Sequence, residues 1–314
     1  MLTVAPPADS ASGVTDGVPA ASTADSECAP SGAGSGVWKR GDGAYPSCLE
    51  DLANPPDQLY FIGMAVFLTA PVVSVVGTRE ATGYGLRATR AIVSALSRAG
   101  VCVISGMARG IDAAAHRAAL EVGGRTVAVL GTGIDVPYPT GHRELYEVLC
   151  ARGLVLSENG RGVRAMKGAF PKRNRIIAAL APATIVIEAG ERSGALNTAN
   201  QALDLGRTVA AVPGPIDSRQ SIGTNDLLRS GATVIASVGD ALHLAGVDAP
   251  RRARDPELGD VELRLWKALA DGGLDMDSLC ARAGIPAREC LAAVTSLEIL
   301  GLVECLLTGE VRRR

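Results

Sequence analysis

Residues 101–121 read VCVISGMARGIDAAAHRAALE: an apolar run ending at Ser105, a turn holding Gly106 and Gly110, then an amphipathic stretch beginning at Asp112. A β-branched run that passes through glycines into a helical pattern is the unit of a parallel α/β fold. A strand covered on both faces by crossover helices has no polar side, so it reads as continuously apolar. The unit recurs in both directions. Upstream, residues 72–76 lead into a helical pattern over 86–98. Downstream, 126–130 precedes 141–151, 154–157 precedes a helix over 171–180, and 184–188 precedes 194–205. The series ends with 208–212, 224–230 and 233–235. This repetition predicts an α/β domain over residues 37–245, with an extended Rossmann-like, doubly wound, mostly parallel sheet.

The flanks differ in composition. Residues 1–36 consist largely of Ala, Ser, Gly, Pro and Asp, too few large apolar groups to offset the entropy of ordering, so a disordered tail is expected there. Residues 246–260, GVDAPRRARDPELGD, read as a linker. Beyond it the spacing predicts helices over 261–270, 277–283 and 286–300, with Pro286 in the first turn of the third, then a hairpin of 302–306 and 310–314 across Thr308-Gly309. Three helices and a terminal hairpin make a small winged-helix-like domain over 261–314. Its third helix carries Arg288 beside Glu289 and Glu298, a face suited to packing or protein contact more than to reading DNA.

Composition excludes several classes. The 314 residues are 47% hydrophobic and 3% aromatic, with 31 bases against 33 acids. No apolar run reaches membrane-spanning length, and the first residues have neither a basic patch nor an apolar core, so a cytoplasmic protein is expected. Seven cysteines without a CxxC pair and three histidines argue against a disulfide framework or a zinc site, and no metal is expected. The charge is unevenly spread: residues 71–240 hold 19 bases and 13 acids, a net +6. Nearly all of these bases are Arg, whose planar fork suits phosphate oxygens.

Candidate binding residues gather where strands end. Gly77-Thr78-Arg79 leaves the first strand, and open α/β sheets bind ligands at that edge. A GxGxxG fingerprint is missing there, which disfavours a nicotinamide enzyme, and no cofactor is expected. The turn from Ser105 and Gly106 to Arg109 and Gly110 opens a helix, where unpaired amides and the dipole attract an anion. Asp112 reads as that helix's cap, and His116, one turn on, is within reach of the same pocket but is more often structural. Phe170-Pro171-Lys172-Arg173-Asn174-Arg175 sets three cations and an amide beside an aromatic face, a set suited to a nucleic-acid backbone. In the stretch 188–198, EAGERSGALNT, Ser193 fits a helix cap and Gly194 a close backbone approach. Glu188, at a strand end, is the one acid placed like a catalytic group, and it has no recognisable nucleophile or base partner.

Together these loops resemble the DNA-processing protein A family (DprA, also called Smf). The matching stretches are Tyr45-Pro46 with Leu49, Pro56 and Leu59-Tyr60; VGTR; SGMARGIDAAAH; GTGIDVPYP; LSE; FPKRNRII; EAGERSGALNTA; VPGP; and GTNDLLRSGA, in the family's order over roughly residues 45–235. The resemblance implies non-catalytic binding of single-stranded DNA, homodimerisation and a contact with the RecA recombinase, which the family loads onto incoming DNA in natural transformation. By motif, Arg79, the loop 105–110, Lys172, Arg173 and Arg175 would lie in the DNA pocket. Where the family often has a helical N-terminal domain, only a disordered tail is expected here; His142 stands where Asn is common, and the winged-helix module is one that the family does not always have.

The leading expectation is therefore a recombination mediator whose DNA affinity falls steeply with salt and weakens when Lys172 and Arg175 are replaced. The competing class is an enzyme, a nucleotide phosphoribohydrolase of the lysine-decarboxylase-like branch, although EAGERSGALNTA lacks the acid and Thr of that branch's PGGxGTxxE segment. A nucleotide sensor using the same pocket is a third reading.

Overall fold

The computed structural model describes residues 34–247 and 258–313, apart from 271, 301, 307 and 308. The chain opens with two strands that the apolar-run pattern does not reveal, β1 (Gly34–Lys39) and β2 (Gln58–Gly63), paired antiparallel. Gly34 to Gly36 thus join the sheet, although composition assigned them to a tail; the rest of that tail lies outside the described residues. The Tyr45-Pro46 motif ties down the connection between the two strands. The Tyr45 hydroxyl donates to the Pro56 carbonyl at 2.8 Å, while Leu49 and Leu59 are fully buried.

The α/β alternation follows as β3 (Val72–Val76), α1 (Gly83–Arg98), β4 (Cys102–Ser105), α2 (Ile111–Glu121), β5 (Thr126–Gly133), α3 (Arg143–Arg152), β6 (Leu154–Asn159), α4 (Ala169–Leu180), β7 (Ala183–Val186), α5 (Gly194–Asp204), β8 (Thr208–Ala211), α6 (Ile222–Arg229), β9 (Thr233–Val234) and α7 (Val238–Leu244). The nine strands lie in the order β1-β2-β6-β5-β4-β3-β7-β8-β9. Neighbours are parallel from β6 to β9, and β2 joins β6 antiparallel.

Alternate residues of the central strands feed opposite layers, as a period of two requires. Val73, Val75, Val103 and Ile185 pack under α1 with Val93 and Leu96. Ile104, Val127, Val129, Leu154 and Leu156 pack under α4 with Ile176 and Ile177. The functional consequence is the switch in direction at β3: the chain proceeds through β4, β5 and β6 on one side, and α4 then carries it back to β7 on the other. In doubly wound sheets such a switch opens a crevice at the carboxyl ends of the strands.

The second unit contains α8 (Asp260–Ala268), β10 (Leu274–Asp275), α9 (Met276–Ala283), α10 (Ala287–Ile299), β11 (Val303–Cys305) and β12 (Glu310–Arg313). A three-stranded antiparallel sheet, β10-β12-β11, closes over Leu265, Leu279, Leu297 and Val303. This is a winged helix. Pro286 caps α10 from just outside it, one position before the helical turn expected for it. Most of the linker and Thr308 of the expected turn lie outside the described residues.

Candidate nucleic-acid interface

Three strand ends and one helix start surround the crevice. The loop after β3 supplies Thr78 and Arg79, the loop after β4 supplies Ala108 and Arg109, the loop after β7 supplies Arg192, Ser193 and Gly194, and α4 supplies Phe170, Arg173 and Asn174. They enclose a cleft of about 490 Å3. A second cleft of about 290 Å3 shares Arg79, Ala108, Arg109, Phe170 and Arg173, and is completed by Gly106 and by Tyr138, Pro139 and Thr140 from the segment after β5. The two cavities adjoin through these five shared residues, Phe170 among them.

The loops are locked together through their backbones. Gly110 has φ +76°, and a Cβ there would lie 2.3 Å from the Thr78 carbonyl oxygen; that carbonyl accepts from the Ile111 amide at 3.2 Å. Only glycine permits both the left-handed conformation and this approach. Phe170 is seated on Gly131, where a Cβ would come within 2.9 Å of the ring, and it stands 5.0 Å from the Tyr138 ring. Between Gly106 and Gly110 the turn also holds Met107 at φ +57°, a conformation that non-glycine residues adopt only when their surroundings impose it. Here the Met107 side chain is fully buried, and His142 Nδ1 lies 3.0 Å from its carbonyl oxygen. His142 thus serves this loop by donating to it.

The cations fall into two groups. Arg79, Arg109 and Arg192 are exposed and have no ion-pair partner among the described residues. The Arg79 guanidinium sits 5.6 Å above the Phe170 ring, so one side chain offers charge and the other a π face to the same space. Arg173 differs, being 5% exposed. Its Nη1 donates to the Gly106 carbonyl at 2.6 Å and to the Val129 carbonyl, and its Nε donates to Asn174. Burial lowers its pKa to about 10, against the raising effect of Asp112 and with a lowering contribution from Arg79. Asp112 is buried too; desolvation raises its pKa, and Arg173 and the loop amides oppose the rise.

Several residues expected at the site stand elsewhere or do other work. Arg173 and Asn174 line the larger cleft, but Arg173 braces the loop with its nitrogens, and Asn174 donates to the Gly194 carbonyl and to Asn197. Lys172 and Arg175 both pair with Glu158, at 3.1 and 2.7 Å, and neither lines these two clefts. Lys172, Arg173 and Arg175 thus do not line one of these clefts together: the first and third are engaged by Glu158, and Arg173 by buried carbonyls. Ser105 is fully buried and donates to the Val75 carbonyl at 2.7 Å. Ser193 does cap α5, accepting from the Ala195 amide at 3.2 Å.

Asp112 does not cap α2. The cap position is Gly110, and Asp112 Oδ2 accepts from the Ala108 amide at 3.4 Å. His116 is buried away from both clefts, its Nδ1 2.7 Å from Thr126 Oγ1. Glu188 is 2% exposed and engaged by Thr82, so it is a brace and not a free acid. Tyr138, Arg192 and Asn197 were not singled out from the sequence, although each lies inside a matched motif. No group of three or more potential metal ligands occurs among the described residues.

Comparison with known proteins agrees with this architecture. Residues 36–246 match the family of DNA recombination-mediator protein A, and residues 249–306 match the DprA winged helix domain. The chain is 42% identical over 240 residues to the putative DNA processing protein DprA of Mycobacterium tuberculosis, covering 74% of this chain and 62% of that one. It is 36% identical over 281 residues to protein Smf of Escherichia coli, covering 86% and 75%. The match thus spans under two thirds of the mycobacterial relative's length. The DNA processing protein A structure from Streptococcus pneumoniae superposes with a TM-score of 0.65 at 40% identity, covering 67% of this chain and 74% of that one. That of Helicobacter pylori, described for its single-stranded DNA binding mode, gives 0.61 at 29% identity, covering 67% and 94%. Matched over most of its length, with the same two-domain order, the chain belongs to the DNA recombination-mediator protein A (DprA/Smf) family.

Proposed function

We propose that this chain binds single-stranded DNA in the two adjoining clefts and acts as a recombination mediator that loads RecA onto the strand. The observation that carries the reading is the pairing of uncompensated Arg79 and Arg109 with the Phe170 ring at the carboxyl edge of the sheet. Exposed guanidinium groups without carboxylate partners attract phosphates, and a ring in a concave site offers stacking that only an unpaired base can reach. A duplex keeps its bases stacked on each other, so the geometry favours a single strand. The H. pylori relative, whose structure concerns single-stranded DNA binding, supports the same ligand. The RecA contact, homodimeric assembly and a cytoplasmic location are part of the same proposal, and the likeness to the family supports them. No helix among the described residues is long and apolar enough to cross a membrane.

The test is a titration of oligo-dT over a salt series. Affinity falls steeply as salt rises, because phosphate contacts release condensed counterions; a flat response, or a preference for duplex, overturns the reading. Loading is read separately, as acceleration of RecA filament formation on coated single strands. The phosphoribohydrolase reading places an acid at the β7 end of the cleft, where Glu188 is held by Thr82 and Glu191 is the exposed carboxylate. Incubation with AMP is expected to release no adenine, and release at a useful turnover would replace this proposal with an enzymatic one.

A further inference from the structure

The second unit carries four sulfur side chains, Met276, Cys280, Cys290 and Cys305, and three of them meet at one corner of its core. Met276 and Cys280 stand four positions apart on α9, the spacing that puts two side chains on one helix face. Cys290, the fourth residue of α10, meets that face: its thiol contacts the Met276 thioether at 3.7 Å and interacts with the Cys280 thiol. Cys290 is fully buried, whereas Met276 and Cys280 are each in partial contact with solvent, and all three belong to the same apolar cluster.

Two thiols and a thioether are the ligand set of a soft cation. Three sulfurs held at ~2.3 Å from one ion in a plane stand ~4.0 Å apart, and the 3.7 Å between Cys290 and Met276 is already near that spacing. The set does not suit zinc, whose structural sites take four ligands from Cys, His, Asp and Glu; among the described residues no three such side chains group together. Nor is the thiol pair poised for oxidation. Desolvation and the neighbouring Cys280 raise the pKa of the Cys290 thiol, which keeps it protonated and a poor nucleophile. A coordinating ion reverses that state, because each thiol proton leaves to solvent as its metal–sulfur bond forms. We infer that Met276, Cys280 and Cys290 form a binding site for one Cu(I) ion, which fastens α9 to α10 within the winged helix. Two protons leave and one cation enters, with no change of oxidation state. None of the three residues lines either cleft, so the inference stands apart from the single-strand reading.

The experiment titrates the full chain, kept reduced and anaerobic, with Cu(I) delivered as the complex of a chromogenic chelator, and reads how much copper the protein withdraws. Excess chelator keeps copper from single thiols, and every protein carries Cys305→Ser, which removes the exposed thiol of the second unit. This parent is expected to withdraw one Cu(I) and to melt at a higher temperature with copper than without, since a ligand of the native state stabilises it. Cys280→Ser and Cys290→Ser lose both effects. Met276→Leu is expected to bind Cu(I) at least about ten-fold more weakly, since even groups that merely orient a metal's ligands are worth that much. No withdrawal by the parent overturns the site, as does withdrawal by Cys280→Ser equal to the parent's. Unchanged affinity in Met276→Leu overturns the three-sulfur set, and displacement of the copper by an equal concentration of Zn(II) overturns the assignment to a soft ion. Should Cys290→Ser fail to fold, Cys280→Ser and Met276→Leu decide, because both residues are only partly buried.

Discussion

The Glu188 carboxylate grips Thr82 at two atoms, accepting from its amide at 3.0 Å and from its hydroxyl at 2.5 Å. The same residue's carbonyl accepts from the Thr78 amide at 2.7 Å, so both ends of the loop carrying Arg79 hang on one strand end. Removing a buried, charged acceptor leaves donors unpaired and costs about 1–3 kcal/mol. Glu188→Ala should therefore lower the melting temperature by several degrees, at about 2–4 °C per kcal/mol for a domain of this size. It should also weaken oligo-dT binding by freeing the loop. If the effect acts through Arg79, the Glu188 substitution adds little to binding once Arg79 is already Ala. Full additivity in that double-mutant cycle would reject the positioning role.

Arg79 and Arg109 have no ion-pair partner among the described residues while Lys172 is paired, which sets a contrast in salt dependence. Each of Arg79→Ala and Arg109→Ala is expected to reduce the slope of log affinity against log salt by about 0.7, the contribution of one phosphate contact on a single strand. Lys172 is well exposed and bridged to Glu158, an interaction worth about 0–1 kcal/mol, so Lys172→Ala should leave both slope and stability nearly unchanged. Oligo-dT titrations at several salt concentrations distinguish the three variants. A slope change for Lys172→Ala equal to that for Arg79→Ala would place the strand along the outer side of α4 instead.

Arg173 faces buried Asp112 and ties β5 to the loop after β4. Removing Arg173 leaves the buried Gly106 and Val129 carbonyls without this donor, and each buried group left unpaired costs about 1–3 kcal/mol. Arg173→Ala should thus be among the most destabilising changes near the clefts. Asp112→Asn should be milder, because an amide keeps an acceptor for Ala108. Thermal denaturation of the two variants checks the order; a stable Arg173→Ala with weakened DNA binding would return Arg173 to the role of phosphate ligand.

The divergent fates of neighbouring cations in the run Phe170–Arg175 show where a sequence pattern stops informing. Charge and composition reveal that the run is cationic, and helical spacing then divides it. Arg173 and Asn174, three and four positions after Phe170, share its face toward the clefts, whereas Lys172 and Arg175 turn toward Glu158. The parallel strands were legible for a related reason, since burial on both faces removes polar alternation and leaves runs such as 101–105. In contrast, β1 reads GSGVWK and buries only Trp38, so it shows neither an apolar run nor a clean alternation. The short helix α7 escaped notice although Ser237 and Asp240 form a capping box, a signal present in the sequence. The 40% exposure of Tyr138, in the segment after β5, depends on packing between segments distant in the chain and could not be read from its motif.

The acid limb of stability should belong largely to His116. Thr126 Oγ1 donates its proton to the Val103 carbonyl at 2.8 Å, so the 2.7 Å contact with His116 requires that Nδ1 carry the imidazole proton and donate. The bare Nε2 is buried without a partner, and protonating it would bury a charge beside Arg173. Desolvation first, with Arg173 and His142 adding to it, lowers the His116 pKa from 6.5 to about 3. The unfolded chain then binds more protons between these values, so stability is fully present above pH 6.5 and is lost as pH falls toward 3. The loss approaches about 1.4 kcal/mol for each pH unit within that window. Asp112 acts with the opposite sign: its pKa is raised above 3.8, so the native state takes up its proton first and gains relative stability on acidification. A difference measurement separates the two. His116→Gln, which keeps a donor for Thr126 and cannot titrate, should flatten the fall of melting temperature between pH 6.5 and 5, by about 2–4 °C for each kcal/mol recovered. Parallel wild-type and variant curves over that range would show that His116 is not the residue whose protonation unfolds the domain.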